Sequence, residues 1–180
     1  MLWDRITSDP EKAALARVLI ERVPLCGWGQ TALLAASEAA FEDATKWRRV
    51  FPRGSRDAIW FISEVSDASM TFPFIGSPAQ SMSTVIIMRL EQNAHLKPFV
   101  RKVMLFDVFH PAQAFSRMQR TSRAMFTCLG AGARPPSLRL ITGLNIIYTG
   151  IIFLWLFDQT EDNARTKRIA RRLMPLIGMS

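Results

Sequence analysis

The chain has 180 residues, 49% of them hydrophobic and 21% charged, with a formal net charge of +8. That composition excludes a disordered chain and suits one domain, or a small domain joined to a medium one. Two cysteines, Cys26 and Cys128, and two histidines, His95 and His110, exclude a disulfide scaffold, a four-cysteine zinc site and a three-histidine metal site, so no metal or cofactor is expected.

Residues 1–10 show neither a basic, apolar leader nor a transit-peptide pattern, and no targeting segment is expected there. Ser8-Asp9-Pro10-Glu11 reads as an N-cap with proline at the first helical position. Leu15, Val18, Leu19 and Val23 then form one apolar face, and Pro24 is expected to stop the helix. After the turn at 25–30, Thr31 can cap a second helix over 31–40. Phe41-Glu42-Asp43 interrupts it, and Asp43 can cap a short third helix over 44–50. Phe51-Pro52-Arg53-Gly54 ends that helix, and Ser55 opens a longer one to about Ala68.

Residues 71–80 (TFPFIGSPAQ) hold two prolines, a glycine and no charge, which places a domain boundary there. Beyond it, helices are expected near 81–93, 98–109, 111–129, 137–157 and 161–177, with a loop at 130–136. No stretch alternates with a two-residue period, so no sheet is expected and the fold class is all-α. The organisation expected is an N-terminal domain over 1–70, a C-terminal helical domain over 71–160 and a basic amphipathic helix over 161–180.

Two short helices with a three-residue break, following a first helix and a glycine-containing turn, outline a helix-turn-helix. With Phe51-Pro52 and a long fourth helix, the outline resembles the N-terminal domain of TetR-type regulators. A more extended resemblance is to the Coq-nine family of ubiquinone-biosynthesis accessory proteins, a TetR-like fold turned to lipid binding. It rests on Val23-Pro24-x-x-Gly27-Trp28, Ala32-Leu33-x-Ala35-Ala36 and Phe51-Pro52-Arg53-Gly54. Downstream, Arg89-Leu90-Glu91, Pro98, a long helix ending near Gly130, and Tyr148-Thr149-x-x-x-x-x-Leu154-Trp155-Leu156-x-Asp158 continue in the family's order. The break Phe41-Glu42-Asp43 departs from it by lacking the usual glycine. The resemblance implies a homodimer with a hydrophobic cavity for an isoprenoid or quinone-like lipid in the C-terminal domain. It also implies delivery of a quinone precursor to a membrane-bound hydroxylase, by a protein of the bacterial cytoplasm peripherally attached to the inner membrane, or of the mitochondrial matrix side in a processed form.

Charge is unevenly spread. Residues 1–80 carry nine basic and ten acidic side chains, whereas 81–180 carry fourteen basic and five acidic. An anionic partner should therefore meet the second half. On the would-be recognition helix, Lys46, Arg48 and Arg49 are candidate DNA contacts, against the plainer reading of a solvated face.

Residues 140–157 are eighteen uncharged residues, just long enough for a membrane span to be considered. Ordinary core, a dimer interface or the wall of a lipid cavity are the other readings. Tyr148, Ile152 and Trp155 share one stripe of this helix, and Met104, Phe109, Met125 and Phe126 are candidates to complete a lipid pocket. Arg117, Arg120 and Arg123 read as one solvated face of the 111–129 helix.

In the last helix, Ile169, Ala170, Leu173, Leu176 and Ile177 lie on one arc, while Arg165, Lys167, Arg168, Arg171 and Arg172 occupy the rest. Such a helix either docks on an anionic membrane or folds back on its own domain, and Pro175 should kink or end it. Glu91 and His95 would share a helix face as a surface contact. No catalytic constellation is visible, and the Glu-x-x-His pairs of a di-iron hydroxylase are missing, so the chain is not expected to be an enzyme.

The leading expectation is a lipid-binding accessory protein of ubiquinone biosynthesis. A TetR-type transcriptional regulator with a hydrophobic effector is the alternative, and a single-span membrane protein a third reading.

Overall fold

A computed structural model describes residues 9–70, 82–129 and 136–174, and all of its regular structure is helical. Asp9 opens α1 (Pro10–Cys26) by accepting a 3.0 Å hydrogen bond from the Lys12 amide, as the sequence suggests. Pro24 does not stop this helix. It lies in the final turn, where only one backbone bond is forfeited, and the helix ends at Gly27. There φ is 77° and the Gly27 amide donates to the Val23 carbonyl at 2.8 Å.

The second helix, α2 (Gln30–Phe41), begins one residue before Thr31 and has no side-chain cap. The third is shorter than expected: α3 (Trp47–Val50) is a single turn. Asp43 does not cap a helix at 44, because its Oδ1 accepts from both the amide and the hydroxyl of Thr45, each at 2.8 Å, forming a local turn instead. Buried Ser37 braces the break. Its hydroxyl donates to the Asp43 carbonyl at 2.6 Å and accepts from the Trp47 amide at 3.0 Å. The residue that turns the chain here is Glu42, held at φ 56° in the left-handed region where glycine is absent.

Next come α4 (Ser55–Ser69), α5 (Met82–Gln92), a 3-10 turn (Ala94–Leu96), α6 (Lys97–Val108) and α7 (Pro111–Cys128). The last elements are α8 (Leu138–Phe157), capped by Ser137, a 3-10 turn (Glu161–Asn163) and α9 (Ala164–Leu173). The expected linker at 71–80, most of the loop at 130–136, and Pro175, Leu176 and Ile177 lie outside the described residues.

The chain divides into two compact units. The first comprises residues up to 69 together with 96–114, so α6 packs against α1 within this unit rather than with the later helices. Its core joins Leu15, Leu19 and Val23 of α1 to Leu33 and Ala36 of α2, Phe51, Ile59 and Ile62, and to Phe99 and Val103 of α6. Each such aliphatic side chain contributes roughly 1.5–3 kcal/mol on burial. The second unit comprises residues 70–95 and those from 115 onward. Within it α9 packs on α5 and α8, and α5 on α8.

Candidate functional site

The three basic residues proposed for DNA contact are only partly available. Glu11, in the first turn of α1, lies 2.9 Å from Lys46 Nζ and 3.1 Å from Arg49 Nη2. The hydrogen bond from Lys46 and the charge of Arg49 hold the Glu11 carboxyl below its ordinary range. Lys46 also sits 4.1 Å over the Phe41 ring. Arg48 is exposed, its guanidinium 5.6 Å from the Trp47 ring. One carboxylate thus answers two of the three cations, on a helix only about 6 Å long.

A cleft of about 410 Å³ opens in the same unit between the start of α1, the end of α3 and α4. Trp60 and Phe61 form an aromatic wall, with Asp57 and Glu64 beside it. None of the residues expected to hold a lipid lines this cleft.

Those residues are divided between the two units. Met104 and Phe109 belong to the first, where Met104 is half-buried and Phe109 is 80% exposed. Met125 and Phe126 on α7, and Tyr148, Ile152 and Trp155 on α8, belong to the second. Of these five, four are buried and Ile152 is half-buried.

The interior of the second unit also pairs polar groups that the sequence reading did not join. Arg89 Nε donates to the Tyr148 hydroxyl, and Arg89 Nη1 lies 3.5 Å from Met70 Sδ. One helical turn from Met125 and Tyr148, the Ser122 hydroxyl donates to Asn145 Oδ1. A lone amide in the apolar run 140–157 was the available signal for Asn145; Arg89 stood in a quoted motif with nothing to show its burial, and nothing local marked Ser122. Arg117 is buried rather than solvated, whereas Arg123 is exposed. Positions i and i+6 of a helix stand about 120° apart, so the expected common face spreads from inside to outside.

The terminal helix folds onto its own unit. Thr166, Ala170 and Met174 are buried, and Ile169 and Leu173 are half-buried, so the apolar side expected to enter a membrane faces protein. Asp158 fixes the start of α9. Its Oδ2 accepts from the Thr166 amide at 2.8 Å and hydroxyl at 2.6 Å, and Oδ1 accepts from Thr160. Burial would raise this carboxyl, but the threonine hydrogen bonds prevail and hold it far below the usual carboxylate range. Lys167 is drawn in between Glu91 and Asp162, which push its ammonium above the ordinary lysine value, and it is not part of the free basic surface. Glu91 therefore pairs with α9 rather than acting with His95, which lies past the end of α5 in the 3-10 turn.

Arg165, Arg168, Arg171 and Arg172 remain exposed and form no ion pair among the described residues. On α8, Leu138, Ile146, Phe153 and Phe157 are more than half exposed, and 39% of the helix's most apolar stretch is buried. Among the described residues no three His, Cys, Asp or Glu side chains gather as a metal site.

Comparison with protein-family models, curated proteins and solved structures gives no match. The Coq-nine resemblance rests on the sequence motifs alone.

Proposed function

We propose that the chain is a non-catalytic, TetR-like accessory protein that works as a homodimer at an anionic membrane surface. It binds an isoprenoid or quinone-like lipid and presents it to a partner hydroxylase of ubiquinone biosynthesis. The observation that carries the reading is where free positive charge resides. Four arginines of α9 stand exposed, while at α3 Lys46 and Arg49 share the single carboxylate of Glu11. Sequence-independent DNA affinity requires several phosphates to be neutralised, so the same observation counts against the regulator alternative. Anionic lipid is attracted at roughly 1 kcal/mol per basic side chain near its surface. The buried apolar group of Met125, Phe126, Tyr148 and Trp155, edged by Ile152, is the proposed lining for the tail.

The test pairs two measurements on the full chain. Organic extracts of the purified protein are examined by mass spectrometry, and a variant with Arg165, Arg168, Arg171 and Arg172 all changed to Gln is compared with wild type for binding anionic vesicles. The proposal expects a co-purifying prenyl lipid and loss of vesicle binding in the variant. Absence of any lipid, with retention of duplex DNA dependent on Lys46 and Arg49, would instead establish the regulator.

A further inference from the structure

We propose, resting on the membrane-surface reading above, that the chain enters the bilayer through the outward face of α8, with the α9 arginines gripping anionic headgroups beside its C-terminal end. The apolar side of α9 is not available for that role, because Ala170 and Met174 are buried against the unit. The α8 face is available. Ile146 is 69% exposed and Phe153 55%, and both lie on one stripe with Leu138, Gly150 and Phe157.

The face is chemically ready for hydrocarbon. Exposed Arg139 stands on it at the N-terminal end, no charge follows between residues 140 and 157, and the Thr149 hydroxyl is already satisfied by the Asn145 carbonyl at 2.7 Å. Phe153 and Phe157 meet in a tilted pair with ring centroids 5.1 Å apart, forming a compact aromatic wedge at the end nearest α9. The start of α9, with Arg165, is brought to this end by Asp158. That residue directly follows Phe157 and holds Thr166, so Arg165 is pinned close to the wedge.

Charge selects the occupant. Residues 81–180 carry nine more basic than acidic side chains, so an anionic bilayer supplies the missing counter-charge while a second copy brings the same excess, and the homodimer of the reading above then joins through another surface. Asp158, Glu161 and the surplus carboxylate of the Glu91–Lys167–Asp162 group offset at most three of the four arginines.

The experiment uses the full chain with phosphatidylcholine vesicles, with and without phosphatidylglycerol, in co-sedimentation. Variants are Ile146→Ser/Phe153→Ser and, as a control on an exposed apolar residue of the first unit, Leu105→Ser. Wild type and the control should sediment with the anionic vesicles alike, and the double variant should bind at least about tenfold more weakly. A second readout needs no loss of function. Phe153→Cys, in a chain with Cys26→Ser and Cys128→Ser, is labelled with an environment-sensitive dye whose emission should shift to the blue on vesicle addition. If wild type ignores both vesicle types, the membrane reading itself falls. If wild type binds but the double variant binds equally, or the dye is unmoved in sedimented protein, membrane association stands and the α8 face is overturned. Light scattering showing a wild-type dimer that the double variant abolishes, with vesicle binding unchanged, assigns the face to a second copy and likewise overturns the proposal.

Discussion

Arg89 Nε donates a 2.8 Å hydrogen bond to the Tyr148 hydroxyl, joining two side chains that are both more than nine-tenths buried and 59 residues apart. A buried guanidinium is tolerated only where its donors find acceptors. Tyr148→Phe removes this acceptor while keeping the ring, and is expected to lower stability by about 1–3 kcal/mol in urea unfolding. A change too small to resolve would mean that Arg89 draws its stabilisation elsewhere.

Glu42 holds φ 56° and ψ 25° at the end of α2, and its amide donates to the Glu38 carbonyl at 2.9 Å. Side chains with a Cβ are strained there. Glu42→Gly should therefore raise stability by about 0.5–1 kcal/mol, and Glu42→Val should lower it, as read from thermal midpoints. Equal midpoints for all three proteins would remove strain from the account of this turn.

Asp158 gives a pH dependence of defined sign. Its folded carboxyl titrates far below the ordinary 3.8, so its contribution is complete above about pH 5 and is lost as pH falls through 3.8 towards the folded value. Asp158→Asn is expected to cost about 1–2 kcal/mol at pH 7, with the gap to wild type narrowing below pH 4. Urea midpoints of the two proteins from pH 7 to pH 3 test this, and a gap that widens in acid contradicts it.

Glu11 governs how basic the α3 surface is. Glu11→Gln releases Lys46 and Arg49, and should steepen the salt dependence of weak duplex binding by up to about two units of log–log slope. Fluorescence anisotropy across a salt series measures that slope. Wild-type protein already showing the steeper slope would place the two cations on phosphate despite Glu11.

Much of the helical order was legible because it is written locally. Asp9 caps where its side chain suggests, and α5 to α8 fall within a residue or so of the spans read from periodicity and prolines. Where local rules misled, a second local rule competed. Pro24 is accommodated because the helix had two residues left to run, and Asp43 chose a turn with Thr45 over a cap. The candidate surfaces were less legible because they depend on distant pairing. Glu11 meets Arg49 across 38 positions, and Glu91 meets Lys167 from a different helix. No window of sequence reveals that a cation is already answered or that an apolar arc is already covered. The division of the chain was obscured for a related reason, since α6 follows α5 in sequence but packs with α1.

The grip on α9 differs in kind from the grip on α1. Leu15, Leu19 and Val23 hold α1 by apolar burial, whereas α9 is fastened by the Asp158 carboxylate on Thr166 and by Lys167 between Glu91 and Asp162, with little more than Ala170 and Met174 inside. Apolar burial is not weakened by charge screening, but the Lys167 contacts are. The terminal helix should accordingly open as a separate unit in hydrogen exchange, earlier than α1 and sooner in concentrated salt or acid.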